Sequence, residues 1–199
     1  PTPEAAPLVP QQYSFGGSVT YWDPFAQVMV TLALAPVILT VNPSPDLYLH
    51  YFLERNILGD DALTSPAVEP SVPAELAVMV ENHGNGGAVN LTISSAQPEI
   101  VDNESGLAVN FALIGSNYQG EPVNFGVTNI NFGNIPALQT RIGQWYLTSS
   151  LLGKFISYDA DVVHANSFGN PQLSLVSGVH LHELAHSMRA YGALEDGIN

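Results

Sequence analysis

"AELAVMVENHGNGGAVNLTISS", residues 74–95, decides how this chain folds. "AELAVMVEN" is apolar and short, "NHGNGG" gathers residues that tolerate positive φ, and "AVNLTISS" is again rich in strand-forming side chains. The stretch predicts a strand, a tight turn and a returning strand.

The same grammar continues outward. "GLAVNFALIG" (106–115), "VNFGVTNINFGNI" (123–135), "RIGQWYLTSS" (141–150) and "GKFISYDADVVHA" (153–165) are further strand segments, with Pro136–Gln139 as turn residues between two of them. Upstream, "LYLHYFLER" (47–55) alternates, placing Leu47, Leu49, Tyr51 and Leu53 on one side and Tyr48, His50, Phe52 and Glu54 on the other. His50 reads as a sheet-surface histidine. With 17 Gly, 15 Pro and few stretches of helical period, the chain predicts an all-β protein with about seven core strands, which favours a β-sandwich.

Before that body, residues 15–22 and 27–41 read as a hairpin around Asp23-Pro24-Phe25. The run "VMVTLALAPVILTV" (28–41) is too short to span a bilayer, carries Pro36 and is β-branched, so it predicts one long strand or two joined at the proline. Packing on its own sandwich is the expected fate of this run, with addition to a neighbouring sheet as the other. "NPSPD" (42–46) then breaks the chain. The expected organisation is a Pro-rich linker over 1–12, a hairpin extension over 13–42, the sandwich over 43–187 and a tail over 188–199. The opening "PTPEAAPLVPQQ" lacks the features of a signal peptide, so the chain is expected to be processed or part of something larger.

Composition narrows the partners. Eighteen acids against four basic residues give a net charge of −14, which repels phosphate backbones and argues against nucleic acid and anionic membranes. There are no cysteines, hence neither disulfides nor thiolate metal sites. Asp60-Asp61 lacks the spaced oxygen ligands of a calcium loop and reads as a solvated turn.

At Pro45-Asp46-Leu47, Val78–Gly84 ("VMVENHG") and Ala88–Ile93 ("AVNLTI") the chain resembles the Ig-like β-sandwich modules of bacterial and archaeal secreted proteins, of the cell-adhesion-related type. The resemblance covers roughly residues 45–180. It implies an antiparallel Ig-like sandwich, here with a β-hairpin extension, that spaces, displays or attaches other domains at the cell surface or outside the cell, usually without catalytic residues.

One motif points elsewhere. His182-Glu183-Leu184-Ala185-His186 matches H-E-x-x-H, in which two histidines one helical turn apart bind zinc and the glutamate works on a metal-bound water. On a helix His182, Glu183 and His186 would share a face. The surroundings are poor: Arg189 and Gly192 stand where a metzincin has glycine and histidine, the only acids after His186 are Glu195 and Asp196, and no spacing selects His164 or His50 as a third ligand. Read instead as a final strand, 173–184 sends Val179 and Leu181 one way and His180 and His182 the other, and in an extended chain His182 and His186 lie ~13 Å apart, too far for one zinc. No hydrolase elbow surrounds Ser174 to recruit His180, His182, Asp159 or Asp161. Trp22, Trp145 and Tyr146 could stack on sugars but read as core.

These readings favour a non-catalytic structural or adhesion module with no cofactor, whose partners are neighbouring domains or like subunits. The alternative is a zinc peptidase with His182 and His186 as ligands and Glu183 as general base.

Overall fold

The computed structural model describes residues 6–64, 66–95, 99–100, 109–123, 128–157, 160–163 and 175–184. Every regular element among them is a strand. In chain order these are β1 (Gln11–Phe15), β2 (Ser18–Asp23), β3 (Val28–Ala33), β4 (Val37–Val41), β5 (Leu47–Glu54), β6 (Asn56–Ile57), β7 (Ala74–Asn82) and β8 (Ala88–Ser95). They continue as β9 (Glu99–Ile100), β10 (Phe111–Tyr118), β11 (Glu121–Val123), β12 (Asn129–Ile135), β13 (Thr140–Ser149), β14 (Gly153–Ser157), β15 (Ala160–Val163) and β16 (Val176–Leu184).

The body is built on a six-stranded sheet in the order β11-β10-β13-β7-β5-β16 and a three-stranded sheet in the order β12-β8-β15, with a small β6-β14-β9 sheet beside them. The expected all-antiparallel arrangement fails at one edge, because β16 pairs with β5 in parallel, from Val176 opposite Leu47 to Leu184 opposite Glu54. That sheet is therefore mixed. The long chain between β5 and β16 allows it, since parallel partners need a crossover rather than a tight turn.

Period-2 alternation puts Leu47, Leu49 and Tyr51 of β5 and Leu76, Val78 and Val80 of β7 inward. They meet Leu91 and Ile93 of β8, Ile130, Phe132 and Ile135 of β12, and Trp145 of β13 in one apolar cluster joining the two larger sheets. Trp145 is 0% exposed, and its indole N–H donates to the Thr128 carbonyl oxygen at 2.9 Å, so its one polar group is satisfied in the core. Gly143 lets Phe132 and Ile130 pack directly on β13, because a Cβ there would run into the Phe132 ring and Ile130.

The 74–95 stretch folds as two strands, but not as a hairpin. β7 pairs with β13 and β5, while β8 pairs with β12 and β15, so "NHGNGG" carries the chain from one sheet to the other. None of its glycines has positive φ; within the stretch that conformation belongs to Asn90. The glycines serve close approach instead, since a Cβ on Gly84 or Gly86 would collide with the backbone of residues 43–46. Buried Asn82 locks the crossing. Its Oδ1 accepts from the Asp46 and Gly84 N–H groups, and its Nδ2 donates to the carbonyls of Gly86, Ile135 and Pro136.

The hairpin at the start forms as expected and extends further. β2 pairs with β3, and β1 with β4, in one antiparallel ribbon from Gln11–Val41 to Asp23–Val28. At its tip Asp23 Oδ1 accepts from the Phe25 and Ala26 N–H groups, and Gln27 takes φ 53°. At ~3.3 Å per residue the ribbon is roughly 40 Å long. The expectation that 28–41 packs on its own sandwich is not met: Val37 is 69% exposed, and Val28, Met29, Leu32 and Leu39 are exposed too. The reason is local. Each ribbon strand pairs with the other along its inner edge, and the outward backbone groups of both strands are left to solvent rather than to the sheets of the body.

Candidate functional site

Four of the six histidines converge on the outward face of β5, β7 and β16. Tyr48, His50 and Phe52 alternate with the core residues of β5, and His180 and His182 stand on the matching face of β16 because the parallel register sets His180 opposite His50 and His182 opposite Phe52. The rings form a row: His83 to Tyr48, Tyr48 to His180, His180 to His50, His50 to His182 and His182 to Phe52, with centres 4.6–6.3 Å apart and planes within 28° of parallel. Edge strand and sheet are thus stitched by side chains as well as by backbone.

The Glu81 carboxylate serves two of these rings. Glu81 Oε2 lies 2.8 Å from His83 Nε2 and 3.6 Å from His50 Nε2. The other nitrogen of His50, Nδ1, lies 3.1 Å from His182 Nε2. In the tautomer that turns the His50 Nε2–H toward the carboxylate, Nδ1 is the acceptor and His182 the donor of this contact.

His182 and Glu183 point to opposite sides of β16, as an extended strand requires. Glu183 pairs with Arg55 of the chain just after β5, both half-exposed, where solvent screening leaves little net stabilisation. The helical face that H-E-x-x-H needs is not formed at 182–184, where the strand reading describes the backbone. His186 lies outside the described residues, as do His164, Asp159 and Ser174. Asp161 is on β15, in the other sheet, opposite Ser94. Among the described residues no group of three His, Asp or Glu side chains is placed to hold a metal ion. No family model matches the chain, and no curated protein or solved structure matches it either.

At the His83 end of the row a cleft of about 750 Å³ opens between Pro7 and Leu8 on one side and Asp46, Tyr48, His83 and Asn85 on the other. Asp46 Oδ1 is buried there without a hydrogen-bond partner among the described residues. Of the aromatics proposed for stacking on sugars, Trp145 is in the core and Trp22 is 55% exposed on the ribbon, so the two do not form one platform.

The ribbon is the other candidate surface. Its register gathers Tyr13, Phe15, Val37, Leu39 and Val41 on one face of β1–β4, and Val19, Tyr21, Val28, Val30 and Leu32 on one face of β2–β3. The opposite faces are mixed, carrying Gln12, Ser14 and Thr40 with exposed Ile38, and Ser18, Thr20 and Thr31 with exposed Trp22 and Met29. Asp23 is the single charged residue between positions 11 and 41 of a chain whose net charge is −14. The sequence pattern located this hairpin, whereas the histidine row escaped it because His83, His50 and His180 to His182 belong to three distant segments.

Proposed function

We propose that the chain is a non-catalytic structural or adhesion module of an extracellular or cell-surface protein, an Ig-like sandwich in type, that assembles with like subunits through its ribbon. The observation that carries this reading is the uncovered apolar face of β1–β4 and β2–β3. A two-stranded ribbon is marginally stable alone in water, and one with uncovered apolar faces gains stability when those faces or its edges are covered. A second ribbon is the natural cover, since the bodies carry the negative charge that keeps copies apart and the ribbon carries almost none.

Sedimentation velocity across a hundredfold range of protein concentration tests this. Concentration-dependent assembly is expected, and the double variant Phe15→Lys/Leu39→Lys is expected to stay monomeric. A wild-type chain that is monomeric at every concentration sinks the self-assembly reading.

A further inference from the structure

We propose that the His50–His182 contact is a proton-operated latch that holds edge strand β16 on the sheet and lets it loosen in mild acid. Ring centres 5.3 Å apart with facing nitrogens only 3.1 Å apart, in planes 16° from parallel, place those nitrogens on the line between the rings. The two imidazoles therefore lie side by side, edge to edge, unlike the face-on pair His180–His50 at 4.8 Å. That is the geometry of an N–H···N hydrogen bond, with room between the nitrogens for one proton.

Proton counting gives the latch its sense. With both rings neutral, His50 Nε2–H faces Glu81, His182 Nε2–H donates to His50 Nδ1, and His182 Nδ1 is bare. A first proton taken from solvent leaves the bond intact: His50 carries both N–H groups, His182 shifts to its Nδ1–H tautomer, and the imidazolium is drawn to Glu81. A second proton puts N–H against N–H across the same gap. The hydrogen bond is then lost, and two like charges face each other.

The surroundings do not offset this. From β7 the pair meets Glu81 and the uncharged Met79; from β5, Tyr48, Phe52 and, at the far end, Glu54; from the turn after β7, His83; and from β16 itself, His180. Glu75 is further along β7 and engaged with Gln144, while Arg55 and Glu183 are on the opposite face. His83 draws on the Glu81 carboxylate as well, so acidification adds several positive charges around that carboxylate. β16 yields first because it is the outermost strand of its sheet, and Val179 and Leu181 on its other face are exposed.

Hydrogen exchange tests the latch on the intact chain, in buffer containing EDTA so that protons alone compete for the rings. After correction for intrinsic exchange rates, protection of the 179–184 amides is expected to fall at least tenfold between about pH 7.5 and about pH 5, the range in which imidazoles change charge, while β7 amides hold theirs. His182→Gln keeps a donor and an acceptor but takes up no proton, so its β16 protection is expected to stay flat; His83→Gln is expected to retain the fall. Should His182→Gln not fold, His50→Gln serves by the same logic. Protection of β16 independent of pH in the wild type overturns the proposal, and so does an equal fall in the glutamine variant.

Discussion

The body and the ribbon are made of the same strand-forming residues and obey opposite rules. In the central strands of the body the alternate side chains meet another sheet, as Leu49 and Val80 meet Ile93 and Phe132. In the ribbon the alternation is looser, with Ile38, Trp22 and Met29 on the more polar faces, and the apolar face of Phe15, Val37 and Leu39 meets solvent. The difference teaches that alternation specifies which face is apolar, and leaves open what covers it. Stability should therefore reside in the body and association in the ribbon.

The sharpest way to break that comparison is Trp145→Ala, which empties the largest fully buried side-chain site and should cost about 3–5 kcal/mol in denaturant unfolding. Asn82→Ala should cost about 3 kcal/mol, because it leaves the buried backbone groups of Gly84, Gly86 and Ile135, and the part-buried bonds to Asp46 and Pro136, without their partner. Tyr51 gives the core a signature at high pH. Burial pushes its phenol from 10.0 up to about 12, so between those values the unfolded chain ionises while the folded one does not. The associated stability is intact below pH 10 and falls by roughly 3 kcal/mol as pH rises to about 12. Equilibrium unfolding of Tyr51→Phe should lack that part of the decline. The smallest effect belongs to the ribbon: Val19→Thr with Leu32→Thr should leave unfolding of the body within about 0.5 kcal/mol of the parent, followed by Trp145 fluorescence in a Trp22→Phe background. A large loss there would show that the ribbon is part of the core after all.

Strand identity was readable wherever one face is buried. "LYLHYFLER" announced both faces of β5, and Asp23-Pro24-Phe25 announced the ribbon tip, because alternation and turn chemistry act over a few residues. The crossing at "NHGNGG" was misread as a hairpin because glycine signals both positive φ and close backbone approach, and only the neighbouring backbone at 43–46 distinguishes them. The candidate site was legible only in halves: residues 47–55 gave His50 an outward face, and 173–184 as a strand gave His180 and His182 a common one.

By itself, then, the sequence determined an all-β chain with an alternating body, a terminal ribbon and a strongly acidic surface, since these follow from local period, turn residues and composition. Tertiary structure alone decided that β16 lies parallel to β5, which brings His182 to His50 and turns the opening of H-E-x-x-H into the edge of a sheet. The physical reason is range. Which strand pairs with which, and in what direction, depends on burial and loop closure across more than a hundred residues, and no five-residue motif carries that information.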